Sequence, residues 1–218
     1  MVFPGGVTVN GWMGMARLIF KSNERDLFMA AIQEQEVNGV NVGQLFDTIE
    51  QIKQNPDLAR FQFRARNKWV AGTRNRVTVQ DFYGALMEDS SRVPMEFDID
   101  EPPVLCGKNL GANPVEYLLA ALSGCLTTSI VAHAAARGIV IRGIQSRYEG
   151  DIDLRGFLGI SEEVPVGYQE IRMFFTIDAD LSGDEKRELI EMGKKYSPVY
   201  NTIRNPTAVR VELDAGTA

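Results

Sequence analysis

Residues 111–138 read GANPVEYLLAALSGCLTTSIVAHAAARG, and this stretch decides the fold. Asn113-Pro114 opens a helix, because proline suits the first helical position, where its missing N–H had no intrahelical partner. Gly138 is the expected stop residue, so the spacing predicts a helix to about Arg137. From Tyr117 to Ala136 there is no Asp, Glu, Lys or Arg. Written in steps of four, Ala120, Gly124, Thr128, Ala132 and Ala136 form a row of small residues along which another backbone can approach closely. Ala121, Cys125, Ser129 and His133 run beside it. Leu118, Leu122, Leu126 and Ile130 form an apolar row. No row asks for bulk water, so the helix is expected to be surrounded by sheets, other helices or a second copy of the chain. Its length alone fits a membrane span. Its serines, threonines and small residues, and the lack of a second such stretch, favour the buried core of a soluble protein.

Working outward, the periods alternate between helix and strand. Asn41 reads as the N-cap of a helix running to about Gln54, with Val42, Leu45, Phe46, Ile49 and Ile52 on one face. Asn55-Pro56 ends it. Phe61, Phe63 and Ala65 then alternate with Gln62, Arg64 and Arg66 as in a half-buried strand. A turn at Ala71-Gly72 leads to a returning strand over Arg76–Phe82, and Val93–Ile99 reads as a third. Cys106–Ala112 is a glycine-containing loop. Beyond the central helix, Ile139–Leu154 reads as a long strand bent at Gly143 or Gly150, and Ile171–Ile177 as another. Ser182 and Glu185 form a capping-box pair for a helix running to about Tyr196 and ending at Pro198. Thr207–Leu213 reads as a last strand. The expected architecture is α+β, with largely antiparallel sheets around one long central helix. Residues 1–40 read as a poorly defined N-terminal arm, the first 28 being either loosely attached or a mis-called start before Met29, and residues 41–218 as the domain.

Composition narrows the function. The chain has 218 residues, a net charge of −6 and a pI near 5.0, which gives no basic face for nucleic acid. Two cysteines, Cys106 and Cys125, and one histidine, His133, do not make a disulfide framework or a zinc or iron–sulfur site. No cofactor or metal is called for. The first ten residues lack the order of a secretory signal, so a cytoplasmic location is expected.

Cys125 is the chemically interesting group, and two readings stand. A free cysteine inside a helix is commonly a small buried hydrophobe. Alternatively it is a thiolate nucleophile, which needs a nearby cation and a route for substrate. Peroxide chemistry fits the second: sulfur attacks the O–O bond, an alkoxide leaves and a sulfenic acid remains.

The run from Gly111 through Asn113-Pro114 to Gly124-Cys125-Leu126 resembles the helix signature of the OsmC/organic-hydroperoxide-resistance (Ohr) family. There an Asn-Pro start is followed twelve residues later by the peroxidatic cysteine, as Asn113 is by Cys125. The resemblance spans roughly 61–213. It implies an OsmC-like fold forming an intertwined homodimer and hydroperoxide substrates, with an external dithiol reductant expected because Ser197 cannot form a disulfide with Cys125. Two departures stand out. Typical members carry a resolving cysteine after the late helix, where this chain has Ser197 before Pro198. They also place glutamate directly after the proline, where this chain has Val115, with Glu116 one position later. Nine residues separate Glu116 from Cys125, about half a turn out of phase. Glu116 is then either a catalytic acid or a first-turn acid favoured by the helix dipole. Family members also use an early-strand arginine to activate the thiol; Arg64, Arg66, Arg74 and Arg76 are candidates, with Arg76 preferred. Cys106, in the loop before the helix, is a candidate resolving thiol if that loop folds back. His133, about 12 Å along the axis from Cys125, reads as structural.

Two functions follow, beside a purely structural dimer that only the small-residue helix seam supports. One is a thiol-dependent peroxidase for organic hydroperoxides, with Cys125, Arg76 and Glu116 at the site. The other is a non-catalytic small-molecule or lipid-binding protein on the same scaffold, which the departures at Val115 and Ser197 favour.

Overall fold

The computed structural model describes residues 36–213. The expectation of a loose arm over the first 28 residues lies outside them. The chain divides into two compact units. The first runs through residue 119 and takes up 134–142 again; the second holds 120–133 and 143 onward.

In the first unit, β1 (Glu36–Val37) and β2 (Val40–Asn41) form a hairpin around Asn38-Gly39. Both turn residues have positive φ, 56° and 74°. Asn-Gly is a strong short hairpin signal, since a two-residue turn of matching twist needs that backbone twice. Asn41 then caps α1 (Val42–Gln54), accepting from the Gln44 amide at 2.8 Å. The predicted helix is present, and its apolar face begins a small core in which Val37, Val42 and Ala135 pack with Val40 and Phe46.

The strands that follow differ from expectation. A single half-buried strand over 61–66 is replaced by β3 (Gln62–Phe63) and β4 (Arg66–Ala71), which belong to different sheets. The order β4–β5–β8 joins β4 to β5 (Arg74–Val79) and β8 (Met95–Ile99), all antiparallel, with Lys68 opposite Arg76 and Arg76 opposite Asp98. The order β3–β6–β7 joins β3 to β6 (Phe82–Gly84) and β7 (Met87–Asp89). The phenylalanine alternation does not mark a face turned to the core: Phe63 is 75% exposed, and the rings of Phe61, Phe63 and Phe82 pack on one another with centroids 5.8–6.2 Å apart. The hairpin β6–β7 turns at Ala85-Leu86, both at positive φ.

The long helix is α2 (Pro114–Ala135). Its start is a reciprocal cap: the Glu116 amide donates to Asn113 Oδ1 and the Asn113 amide to Glu116 Oε2, each at 2.8 Å. Its end has the Schellman pattern. Gly138, at φ 68°, donates to the Ala135 carbonyl, and Ile139 donates to that of Ala134. Glycine takes this left-handed turn without the strain a side chain would bring. Leu122, Leu126, Ile130 and Ala134 are at most 2% exposed and form its buried stripe. The expectation that no face meets water does not hold for one chain: Ala120, Gly124 and Thr128 are exposed. The helix is long and apolar enough to cross a membrane, yet a buried stripe of this kind equally marks a core helix, so it does not indicate a membrane protein.

In the second unit, β9 (Ile141–Asp151) continues from the first unit and pairs with β10 (Glu170–Ala179) in a two-stranded sheet. The predicted strand ends earlier than Leu154, because Asp153 caps a helical turn, α3 (Leu154–Phe157). The Ser182–Glu185 capping box starts α4 (Gly183–Tyr196) as predicted. Pro198 does not end the helical region. It takes the first position of a second helix, α5 (Pro198–Arg204), with Ser197 as N-cap. The predicted strand over Thr207–Leu213 is not formed; Val209, Val211 and Leu213 are 83, 90 and 95% exposed. The alternation is present, but a strand needs a partner edge, and none of the described strands pairs with it.

Candidate active site

The thiol lies in the second unit, at the crossing of α2 and the α4–α5 elbow. Gly193 on α4 sets how closely the helices approach. A Cβ added there would lie 2.4 Å from Ile130 Cγ1, inside van der Waals contact, so only glycine lets α4 pack on this part of α2. Four residues on, Ser197 is fully buried. Its hydroxyl donates to Cys125 Sγ across 3.1 Å and accepts from the Tyr200 amide at 3.2 Å. Asn201 closes the elbow: its side-chain amide donates to the carbonyls of Lys194, Lys195 and Ser197, at 3.0, 3.2 and 2.8 Å. The first two belong to the last turn of α4, where a helix end leaves carbonyls without intrahelical partners, while that of Ser197 also accepts from the Asn201 backbone amide at 3.1 Å. Cys125 itself is half-buried and free.

Sequence reasoning placed Ser197 where typical relatives carry a resolving cysteine, and treated it as an absence. The structure shows that the position still meets the sulfur. The pair Ser197-Pro198 carried a signal for this geometry: serine before proline is an N-cap before a first helical residue, so the chain turns into a new helix instead of running on. His133 stacks on Tyr196, ring centroids 4.4 Å apart, in keeping with a structural role.

The other predicted residues belong to the first unit. The Arg76 guanidinium is held by Asp98, at 2.9 Å from Nε and 3.2 Å from Nη2, which raises its pKa further. Asp98 also accepts from Arg74 at 2.7 Å, and the two arginines, Arg76 foremost, hold its carboxyl down at about 2. Arg64 is occupied by Glu88 and Asp81, and Arg66 by Asp81. Glu116 uses its carboxylate in the helix cap.

Cys106 is exposed and sits at φ 65°, closing a 3₁₀ turn over Pro103–Leu105. Asp100 gathers the loop around it. Its buried carboxylate accepts from the Thr73 hydroxyl at 2.7 Å and from the amides of Glu101, Lys108 and Leu110 at 2.9, 3.0 and 3.2 Å. The Thr73 hydroxyl and these amides hold the acid at about 2.

Residues 107–212 match the family model described as OsmC-like protein. No curated protein matches the chain in sequence. An OsmC-like protein from Mycoplasma pneumoniae has the same fold, at 20% identity and a TM-score of 0.50, covering 66% of this chain and 87% of that one. An organic hydroperoxide resistance protein OsmC from Legionella pneumophila aligns at 18% identity over 66% of this chain and 89% of its own, with a TM-score of 0.47. An OsmC-like protein of unknown function from Vibrio cholerae aligns at 10% identity, over 65% and 92%, with a TM-score of 0.48. The resemblance carried by the Asn113–Cys125 signature is borne out at the level of this domain: residues 107–212 match the OsmC-like family model, and the fold is shared with an OsmC-like protein.

Proposed function

We propose that the protein is a thiol-dependent peroxidase that reduces organic hydroperoxides through Cys125, with an external dithiol as reductant. The family match supports a peroxiredoxin-like role at the level of the family. The observation that carries the finer reading is the Cys125–Ser197 contact: the signature cysteine is half-buried, not sealed in hydrocarbon, and a buried hydroxyl is aimed at its sulfur.

The Cys125 thiolate attacks the distal oxygen of the hydroperoxide. An S–O bond forms, the O–O bond breaks, and the electron pair leaves on an alkoxide that takes a proton to become the alcohol. Sulfur is oxidised by two electrons to the sulfenic acid. A thiol of the reductant then attacks that sulfur, water leaves and a mixed disulfide forms. The second thiol of the reductant releases Cys125 and carries away the disulfide. Ser197 cannot take the part of a resolving sulfur, so the reductant comes from outside unless Cys106 supplies it. Arg76, oriented by Asp98, is the proposed cation, and Glu116 anchors the start of the helix that carries the thiol.

The working form is proposed to be a homodimer. The exposed Ala120, Gly124 and Thr128 row and the unpaired Val209, Val211 and Leu213 alternation are surfaces that a second copy would cover. Light scattering should give twice the chain mass; a monomer would remove this part of the reading.

The test is turnover of cumene or tert-butyl hydroperoxide with dithiothreitol, followed by loss of peroxide. Cys125 staying reduced, with no peroxide consumed, would end the peroxidase reading and leave ligand carriage on the same scaffold.

A further inference from the structure

We propose that Ser197 is the positioning residue of this site: its hydroxyl holds the Cys125 sulfur for attack and then holds the sulfenate until an outside thiol arrives. The inference rests on Cys125 being the reactive thiol and adds to it how the chain works without a second cysteine.

Three observations carry it, all within the second unit. First, the hydroxyl has one proton to give, and the arrangement leaves it one direction. Its oxygen already accepts from the Tyr200 amide, and its proton goes to Cys125 Sγ at 3.1 Å. A hydroxyl that accepts a hydrogen bond is polarised into a better donor, so the amide strengthens the contact to sulfur. Second, Ser197 is 0% exposed, so water does not compete for that proton. Third, its direction is fixed by the elbow. The Asn201 amide ties three carbonyls from Lys194 to Ser197, and Gly193 seats α4 against Ile130 one turn earlier.

The same geometry explains the exchange of cysteine for serine. A disulfide has an S–S length of about 2.05 Å and needs its Cβ atoms close. The Ser197 oxygen stands 3.1 Å from the Cys125 sulfur, so an oxygen occupies the place from which a second sulfur would approach. Serine keeps a donor at that place and removes the intramolecular exit from the sulfenic acid, and the chain becomes a one-cysteine catalyst with respect to this pair.

The experiment uses the full chain and reads the rate of Cys125 alkylation by iodoacetamide at pH 7, by mass spectrometry, with no peroxide present. Ser197→Ala is expected to slow it about tenfold, the loss expected when a donor to a charged group is removed. Ser197→Thr, which keeps the hydroxyl, is expected to stay within about threefold of the unchanged chain, less than half of a tenfold loss on the free-energy scale. Asn201→Asp, which removes the tying amide while keeping its size, is expected to slow it as Ser197→Ala does. Ser197→Cys, treated with one equivalent of cumene hydroperoxide, is expected to lose both thiols as a bridge forms and one water leaves. Wild-type rates in Ser197→Ala, or equal losses in the alanine and threonine variants, would overturn the proposal. Should Ser197→Ala not fold, a Ser197→Cys variant that stays a stable sulfenic acid beside a free thiol would overturn it instead. Alkylation that depends on Ser197 in a protein that does not consume peroxide would leave the positioning intact and remove the peroxidase reading. Turnover without that dependence would do the reverse.

Discussion

The two cysteines of this chain occupy opposite kinds of surroundings. Cys106 is exposed, on a loop gathered by the Asp100 carboxylate, with its backbone in a left-handed turn. Cys125 is half-buried on a long helix, under a buried hydroxyl whose direction is fixed by an asparagine lock. Exposure alone would choose Cys106 as the reactive thiol. The proposed function rests instead on Cys125, because a nucleophile is made by the groups that orient it and stabilise its charge. The first is held by a loop whose shape depends on one acid; the second is held by helix packing.

The largest expected effect separates the two sulfurs. Cys125→Ser should bring hydroperoxide consumption down to the uncatalysed background, while Cys106→Ser should leave it within about twofold if the reductant is external. A stalled cycle in Cys106→Ser, with the sulfenic acid accumulating on Cys125, would assign the resolving role to Cys106.

Stability should divide the same way. Leu126, next to the thiol, is fully buried, and Leu126→Ala should cost about 2–5 kcal/mol in urea unfolding. Val104, two residues before Cys106, is 78% exposed, and Val104→Ala should stay within about 0.5 kcal/mol. Equal costs would mean that the loop is packed in a way the chain alone does not show. The helix caps offer a smaller test, one in each unit. Asn113→Ala and Ser182→Ala should each cost about 1 kcal/mol, since each removes an oxygen that satisfies a free helix amide.

Acid should loosen the loop before the helix corner. Asp100 in the folded chain titrates at about 2, below its ordinary value of 3.8. A carboxyl whose pKa is depressed on folding contributes stability that is fully present above the ordinary value and is lost as pH falls through the folded one. Between about pH 4 and pH 2, hydrogen exchange at the Lys108 and Leu110 amides should therefore accelerate, while the Tyr200 amide, held by a hydroxyl that does not titrate, should keep its protection. Equal acceleration at all three would break the contrast.

Much of this was legible in the residues where local chemistry decides. The start of α2 at Asn113-Pro114, its stop at Gly138 and the Ser182–Glu185 box are short-range devices, and each formed where its residues stand. The signature spacing from Asn113 to Cys125 also picked out the thiol on which the proposed function rests. What escaped depended on contacts far apart in sequence or on turns with unusual residues. Ala85-Leu86 makes a two-residue turn at positive φ without glycine or asparagine, so nothing local announced β6–β7. Phe61 and Phe63 alternate like a buried face yet stack with Phe82, because the chain changes sheets between them and β4. Thr207–Leu213 has a strand's pattern and no strand beside it, since pairing is decided by an edge elsewhere. Ser197 was read as a missing sulfur, although Ser197-Pro198 also signalled the N-cap of a new helix. Its role comes from 72 residues away, where the fold returns it to Cys125.

The central claim is tested most directly by treating the reduced protein with one equivalent of cumene hydroperoxide, trapping sulfenic acid with dimedone and locating the adduct by peptide mass spectrometry. The account predicts the adduct on Cys125, with Cys106 still a free thiol. An adduct on Cys106 alone, or both thiols unmodified with the peroxide unspent, would contradict it.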